Sequence, residues 1–309
     1  MKNFLITGGA GFIGSHLAEE LIRKGNSVTI LDDLNTGKMT NLEKIKERIN
    51  FIKGDIRDHI LLKDICRDKD VIFHQAARAS VQESFIKPEE YKDVNVNGTE
   101  NIFKLAKEFG FKVVYASSSS VYGNPTELPI KEDSPKRPTN PYAQTKLDDE
   151  FLAEKYAKLG VIVIGLRYFN VYGERQSENY AGVIKKFLEN IQNHKPLIIN
   201  GDGLQVRDFV YVGDVVRANV LALESNVKSA FINIGTGVTI SVLELANQII
   251  NSSGLSLKPI HSNALKGDVR ASQADISLAK KLLNWEPKIK LKDWLNETVS
   301  KIKNKTDIP

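Results

Sequence analysis

Residues 2–14, KNFLITGGAGFIG, restrict the fold of this chain more than any other segment. Residues 3–7 are a short apolar run with β-branched side chains, which predicts a buried strand. Glycines follow at positions 8, 9, 11 and 14, and apolar residues then recur at helical spacing up to Ile22. A strand, a glycine turn and a helix in this order predict a phosphate site. Glycine lets the backbone approach a pyrophosphate, and the first N–H groups of the helix attract negative charge.

A second apolar strand is predicted at residues 28–31, and it ends in Asp32 and Asp33. These acidic residues follow the glycines by about 20 positions, the spacing at which a carboxylate binds the ribose hydroxyls of NAD. A carboxylate there would repel the 2′-phosphate of NADP. The pair could instead cap a turn, but the context favours a dinucleotide site with NAD as cofactor.

Composition argues against several other classes of function. The 309 residues are enough for a large core and two domains. The net charge is +5, but Lys and Glu are interleaved rather than clustered, so we expect no nucleic-acid partner. No apolar run is long enough for a bilayer, so we expect no membrane contact. Cys66 is the sole cysteine, which rules out an intrachain disulfide and fits a cytoplasmic protein. The five histidines lack zinc spacing, so no metal is expected.

Strand and helix patterns alternate along the first half of the chain. Further strands are predicted at 50–53, 71–73, 112–116 and 161–166, and helices at 91–109 and 141–159. This alternation predicts an α/β fold with a Rossmann-type, doubly wound parallel sheet. After Phe169 the pattern loosens into a polar segment at 177–181, strands at 197–199 and 231–234, and helices at 183–191, 214–223, 242–250 and 276–283.

We therefore expect two domains. Residues 1–168 would form the NAD-binding domain, with part of 211–237 returning to it. Residues 169–309 would form most of a smaller, interleaved α/β domain that binds substrate.

Several predicted strands end in small or polar residues, where α/β folds place their ligands. His74 is followed by Gln75, Ala76 and Ala77, which leave room at the sheet edge. Asp55 and Ile56 fit an adenine contact and a simple Asp-capped turn equally well. Ser117 to Ser120 would ordinarily be a polar loop, but their position favours a catalytic role.

Tyr142 and Lys146 are four residues apart near the start of a predicted helix, so both side chains lie on one face. An ammonium near a phenol favours the phenolate and lowers the pKa of the phenol. The pair can therefore act as a general base on a sugar or alcohol hydroxyl. Most such pairs are surface packing, but this one follows a dinucleotide turn and a strand-end serine run.

These features together resemble the extended short-chain dehydrogenases/reductases, the NAD-dependent epimerase/dehydratase family. The resemblance runs almost end to end. Its motifs are TGGAGFIG (7–14), Asp32 with NTG (35–37), GD (54–55), HQAA (74–77), NVNGT (95–99), SSSSVYG (117–123), PYAQTK (141–146), RYFNVYG (167–173), VRDF (206–209), GDVR (267–270) and AD (274–275).

The resemblance implies roles for individual residues. Ser118 would hydrogen-bond the reacting hydroxyl, Tyr142 would take its proton, and Lys146 would hold Tyr142 and the nicotinamide ribose. The residues implied to bind NAD are Gly8, Gly11, Phe12, Ile13, Gly14, Asp32, Asp33, Asn35, Thr36, Gly37, Asp55, Ile56, Gln75, Ala76, Ala77, Asn95, Ser117, Tyr142, Lys146, Tyr168 and Phe169. Those implied to bind a nucleotide sugar are Val81, Ser118, Tyr142, Asn170, Arg207, Arg270 and Ser272.

Arginine suits the diphosphate of such a substrate because its planar fork donates paired hydrogen bonds. Arg207 is followed by Asp208, so a structural ion pair between these neighbours is the ordinary alternative. Similar epimerases often carry an arginine where this chain has Leu265, and Arg270 is the expected replacement for its charge.

The resemblance also bears on the reaction. Dehydratases and decarboxylases of the family carry an acidic residue just before the Val-Tyr-Gly, where this chain has Ser119 and Ser120. This favours 4-epimerisation of a UDP-sugar, such as UDP-glucose to UDP-galactose, through a 4-keto intermediate. The small Ser272 would allow an N-acetylated sugar. A 4,6-dehydratase or a decarboxylase, and a non-catalytic NAD-binding regulator, are the alternatives.

A homodimer is the expected assembly. Family members commonly pair through two helices, which here would be residues 91–109 and 141–159. Both carry apolar residues on more than one side, although a buried core helix would show the same pattern.

Overall fold

The computed structural model describes residues 2–176 and 182–306, so the polar segment predicted at 177–181 lies outside the described residues. The strands are β1 Asn3–Thr7, β2 Ser27–Asp32, β3 Asn50–Lys53, β4 Val71–His74, β5 Lys112–Ser118, β6 Val163–Tyr168, β7 Asn170–Tyr172, β8 Ile198–Asn200, β9 Val206–Tyr211, β10 Ser229–Ile234, β11 Thr239–Ser241, β12 Ile260–Ser262 and β13 Ala271–Ser272. The helices are α1 Phe12–Arg23, α2 His59–Cys66, α3 Val81–Ser84, α4 Pro88–Lys92, α5 Gly98–Phe109, α6 Pro141–Lys158, α7 Val183–Gln192, α8 Val212–Glu224, α9 Val242–Ser253, α10 Ser277–Leu283 and α11 Leu291–Thr306.

Seven strands form one parallel sheet in the order β10-β6-β5-β4-β1-β2-β3. The predicted α/β class with a Rossmann-type parallel sheet is confirmed. The order changes direction between β1 and β4, and ligands bind at such a switch point, outside the carboxyl ends of the strands. β10 returns to the sheet after the 60 intervening residues 169–228 and pairs with β6.

Helices cover both faces of this sheet, which is why its central strands are apolar on both sides. On one face, Leu17 and Leu21 of α1 pack in the same core cluster as Val215 of α8. On the other face, Phe103 of α5 and Tyr156 of α6 share a second cluster. No helix within residues 2–176 and 182–306 combines the length and the apolar character needed to span a bilayer.

A smaller sheet is built around β9. β7 and β13 pair with β9 in parallel and β11 pairs with it antiparallel, while β8 and β12 form a separate pair. A third core cluster joins the helices of this region through Phe187 of α7, Leu245 of α9 and Leu295 of α11. The division of the chain into domains near residue 168 stays a prediction.

Several boundaries differ from those predicted. The helix expected at 91–109 begins earlier, as α4, and continues through a π-helical turn at Asp93–Asn97 into α5. The strand expected at 112–116 extends to Ser118, so only Ser119 and Ser120 of the serine run leave the sheet, in a short 3₁₀ turn.

Candidate active site

A groove with a volume of about 320 Å³ opens at the carboxyl ends of β1, β2, β4, β5 and β6. It brings together most of the residues to which the sequence assigned cofactor or catalytic roles. These are Gly8, Gly11, Phe12, Ile13, Gly14, Asp32, Asp33, Thr36, Asp55, Ile56, Gln75, Ala76, Ala77, Ser117, Ser118, Tyr142, Lys146, Tyr168 and Phe169.

The glycine turn is tight because it packs against other backbone. Gly8 has a φ of +69°, and a Cβ on it would lie 2.7 Å from the Ala76 nitrogen. A Cβ on Gly14 would lie 2.2 Å from the Gly8 oxygen. α1 begins directly after Gly11, which gives no side-chain cap, so the first N–H groups of the helix are left for a ligand at the groove.

Asp32 is 6% exposed and is fixed by two backbone donors at the end of β2. The Ala10 N–H donates to Oδ2 at 2.9 Å and the Leu34 N–H donates to Oδ1 at 2.8 Å. Burial raises the pKa of Asp32, and these two hydrogen bonds oppose the rise. The carboxylate is thus held rigidly at the groove wall, as recognition of ribose hydroxyls requires.

Three predicted cofactor residues, Asn35, Gly37 and Asn95, are not among the described residues that line the groove. The Asn35 N–H donates to Asp33 at 2.9 Å, and Gly37 packs so closely that a Cβ would lie 2.7 Å from Asp32 Oδ1. The Asn95 side chain accepts from the Arg78 N–H at 2.8 Å and donates to the Thr145 hydroxyl at 2.9 Å. Each of the three contacts a residue that does line the groove, namely Asp33, Asp32 or Arg78.

Arg78 lines the groove and was missed by the sequence reasoning. Its guanidinium donates to Asp33 at 3.0 Å and to Glu90 at 3.4 Å. Both carboxylates contribute to a raised Arg78 pKa, against the opposing effect of burial. No local pattern marks this arginine, since it lies in the loop after β4 and Glu90 belongs to α4. The only signal was its place directly after a strand-end run of small residues.

The proposed catalytic side chains come from β5 and α6. The Asn140 side chain accepts from the Ala143 N–H at 2.8 Å and starts α6 at Pro141, which places Tyr142 in the first turn and Lys146 in the second. Ser118 ends β5 and accepts from the Ser120 N–H at 3.1 Å. All three predicted catalytic residues line the same groove as the glycine turn.

His74 lies beneath this groove at the end of β4 and is 2% exposed. Its Nδ1 is 2.6 Å from the Thr7 hydroxyl, and its Nε2 is 2.9 Å from the Thr99 hydroxyl. Burial, together with the positive charge of Lys146, lowers the pKa of His74 to about 3. The ring is therefore neutral at physiological pH and acts as a link between two threonines.

A second cavity, of about 370 Å³, adjoins the groove and shares Val171 and Gln176 with it. Asn170, Arg207 and Leu265 line this cavity. Gln176 had no role in the sequence reasoning, because nothing in its neighbourhood distinguishes it from other polar loop residues. The two cavities together make a continuous surface from the glycine turn to Arg207.

The alternative pairing of Arg207 with Asp208 is wrong. Arg207 Nη2 donates to Asp268 at 2.5 Å and to the Val269 carbonyl at 2.6 Å. Asp208 instead accepts from the N–H groups of Thr236 and Gly237. Side chains alternate along a strand, so neighbours in β9 point to opposite faces of the sheet.

Three predicted substrate residues lie outside both cavity linings within the described chain. Arg270 is paired with both carboxylate oxygens of Asp202, at 2.8 and 2.9 Å, and its side chain is 61% exposed. Ser272 is 6% exposed in β13, opposite Arg207, and Val81 begins α3. Leu265 lines the cavity where similar epimerases often have an arginine, and Arg270 does not take that place here.

We expect Gly14→Ala and Gly11→Ala to separate folding from cofactor binding. The Gly14 methyl would clash with backbone, so unfolding free energy should fall by about 1–3 kcal/mol. At Gly11, within the described chain, an added Cβ meets only the Gly8 oxygen, at 3.2 Å, and stability should change by less than about 0.5 kcal/mol.

The Gly11 methyl would still obstruct a phosphate at the turn. Loss of one hydrogen bond to a charged group should weaken NAD binding roughly tenfold to a hundredfold. Calorimetric titration with NAD and thermal melts of both variants test this. Equal NAD affinity of Gly11→Ala and the natural protein would place the phosphates elsewhere.

The fold and groove define a dinucleotide-binding α/β protein in which a tyrosine and a lysine share one helix at the cofactor site. Residues 4–235 match the NAD dependent epimerase/dehydratase family. The chain is 42% identical to a Methanocaldococcus jannaschii protein named "Putative UDP-glucose 4-epimerase", over 97% of this chain and 98% of that one.

Two solved structures are similar to this chain over almost its whole length. The Thermotoga maritima UDP-glucose 4-epimerase with UDP-glucose superposes with a TM-score of 0.93 at 36% identity, covering 99% of this chain and 100% of that one. The Methanobrevibacter ruminantium UDP-N-acetylglucosamine 4-epimerase in complex with UDP-N-acetylmuramic acid gives a TM-score of 0.92 at 38% identity, covering 98% and 99%. The chain belongs to the NAD-dependent epimerase/dehydratase family.

Proposed function

We propose that this protein is an NAD-dependent 4-epimerase of UDP-sugars. One observation carries the proposal: Ser118, Tyr142 and Lys146 line the groove of the glycine turn, and an arginine-containing cavity continues from it. The named relatives include UDP-glucose and UDP-N-acetylglucosamine 4-epimerases. The residues fit NAD, because the glycine turn leaves open groove and Asp32 is fixed at its wall.

Each side chain of the site has a separate role in proton transfer or substrate binding. Tyr142 takes the proton of the sugar C4 hydroxyl and returns it to the keto oxygen after the sugar has turned over. Ser118 hydrogen-bonds that oxygen, and the Lys146 ammonium stabilises the phenolate. Arg207 holds the substrate diphosphate, exchanging Asp268 for phosphate oxygens. NAD, when bound, supplies a reversible acceptor for the C4 hydride.

The placement of carboxylates favours epimerisation over dehydration or decarboxylation. Among the described residues, the acidic groups that line the groove are Asp32, which ends β2, Asp33, which follows it, and Asp55, which follows β3. Two strands, β1 and β4, separate β2 from β5, which carries Ser118. Elimination at a neighbouring carbon needs an acid or base beside the sugar, and Ser119 and Ser120 stand where such a carboxylate would be.

The proposal also includes the cellular location and the oligomeric state of the enzyme. We infer a cytoplasmic enzyme, in line with a single, fully buried thiol, Cys66, whose pKa is raised to about 12 by burial. We also infer a homodimer paired through α5 and α6, which pack together. Phe151, in the middle of α6, is 57% exposed, as an interface residue would be in a separated subunit.

Turnover by the purified protein tests the function. Incubated without added NAD, it should convert UDP-glucose to UDP-galactose, because the hydride returns to the sugar and the retained cofactor is regenerated. UDP-N-acetylglucosamine is the parallel substrate, since one of the similar solved structures is a UDP-N-acetylglucosamine 4-epimerase. NMR of the anomeric protons measures both rates.

The same spectra contain the outcomes that would contradict the proposal. A 4-keto-6-deoxy product would identify a dehydratase. A parallel incubation with UDP-glucuronate that gives a UDP-pentose would identify a decarboxylase. Bound NAD without turnover of these UDP-sugars would indicate a regulator.

A further inference from the structure

The buried carboxyl group of Asp149 lies beside Lys146. Asp149 follows it by one turn of α6, and its Oδ2 is 3.2 Å from the Lys146 ammonium. The side chains are 4% and 0% exposed, so neither charge is solvated by bulk water. Burial raises the pKa of the Asp149 carboxyl, and the Lys146 charge opposes this rise. A buried carboxylate of this kind lowers the stability of the fold unless it is paired with an opposite charge.

Asp149 closes a chain of polar groups that starts at the glycine turn. Thr7 contacts His74, His74 contacts Thr99, and the Thr99 hydroxyl favours the charged form of Asp149. Asp149 Oδ1 is buried without a hydrogen-bond partner among the described residues. The Lys146 ammonium, at Oδ2, is therefore the charged donor that stabilises this carboxylate.

The groups packed around Asp149 make Lys146 its main counter-charge. From α6 itself, Asp148 adds a like charge that raises the pKa of Asp149. β4 contributes the neutral His74, and β5 contributes Tyr115, whose phenol pKa is raised by burial. Glu150, the next residue, is bound to Arg167 at 2.7 Å, so the charge of Arg167 is already matched.

We propose that Asp149 is a positioning residue for the reaction: it holds the Lys146 ammonium in place as its counter-charge, and Lys146 in turn stabilises the Tyr142 phenolate. The proposal rests on the proposed function for its catalytic meaning, although the electrostatic effect itself needs no substrate. Without Asp149, a buried ammonium loses its counter-charge and releases its proton more readily. A neutral Lys146 no longer favours the phenolate.

The test compares Asp149→Asn with Asp148→Asn. The first keeps the shape and removes the charge at the buried position. The second removes the same charge one residue earlier, from a partly exposed carboxylate bonded to Gln144 at 2.9 Å. The Tyr142 pKa is read from phenolate ultraviolet absorbance in a pH titration, as the difference between each protein and its Tyr142→Phe counterpart.

We expect the Tyr142 pKa to rise by about one unit or more in Asp149→Asn and to stay within about 0.3 units in Asp148→Asn. The acid limb of kcat should move upward by the same amount, so that kcat below the limb falls about tenfold while KM changes little. Should Asp149→Asn fail to fold, Thr99→Val removes the hydroxyl that favours the charged carboxylate, and a smaller shift in the same direction is expected.

An unchanged or lowered Tyr142 pKa in a folded Asp149→Asn protein would overturn the proposal. The same holds for Thr99→Val, if that is the folded variant. A shift of the phenol titration in a protein that turns over no UDP-sugar would support the electrostatic role and contradict the proposed function. The role of Asp149 and the proposed 4-epimerase function can therefore be rejected independently of each other.

Discussion

Tyr142→Phe should lower kcat for UDP-glucose epimerisation by about 10²–10⁴-fold, the contribution of a positioned general acid–base. The variant loses only the phenolic oxygen. Tyr142 is in the first turn of α6, which is capped by Asn140, so the helix and the groove should keep their form. We expect the thermal midpoint and the NAD content to stay close to those of the natural protein.

Tyr115→Phe is the matched control. Its hydroxyl is buried without a hydrogen-bond partner among the described residues, and it lies outside the groove lining. Its removal should leave kcat unchanged and cost no stability. NMR turnover assays of both variants measure the difference. A Tyr142→Phe protein with more than about a tenth of the natural kcat would assign the proton transfer to another group.

Arg167→Met should produce the largest loss of stability, about 3–5 kcal/mol, because it removes the charged partner of the buried Glu150 carboxylate and leaves only the Ser117 hydroxyl, at 2.7 Å, as a donor. The guanidinium is 1% exposed and binds both oxygens of Glu150, at 2.7 and 2.8 Å. It also donates to the Tyr122 hydroxyl at 2.6 Å and lies between the rings of Tyr122 and Phe231, at 5.0 and 5.1 Å.

The double variant Arg167→Met with Glu150→Leu removes both charges. It should be more stable than Arg167→Met alone, since no unpaired charge stays buried. Urea unfolding measures both free energies. A loss below about 1 kcal/mol in the single variant would mean that water or another group solvates Glu150 there.

Sequence patterns predicted the large sheet well because parallel strands buried on both faces are continuous apolar runs. The smaller sheet was mostly missed for the opposite reason. β9 contains Arg207 and Asp208, which are both buried but look like a surface turn in the sequence. Their burial depends on Asp268, on Thr236 and on the neighbouring backbone, groups that come together only when the chain has folded.

The same limit applies to the site. The glycine turn, Asp32, and the Tyr142 and Lys146 pair depend on local order, and the sequence located them in one groove. Arg78 depends on partners in other elements, so no spacing marks it. Asp149 follows Lys146 by one helical turn, but only its burial distinguishes it from Asp148. Arg207 and Arg270 show this most clearly, since their carboxylate partners lie 61 and 68 residues away along the chain.

The return of β10 to the edge of the large sheet has a consequence for the order in which the protein is made. β10 pairs along β6 from Ser229 opposite Val163 to Ile234 opposite Tyr168. Synthesis proceeds from the amino terminus, so β6 is an open edge on the ribosome until residues 229–234 emerge. An open edge can pair with another chain. Residues 169–228 are made in that interval, so the nascent chain must accommodate them before its principal sheet is closed.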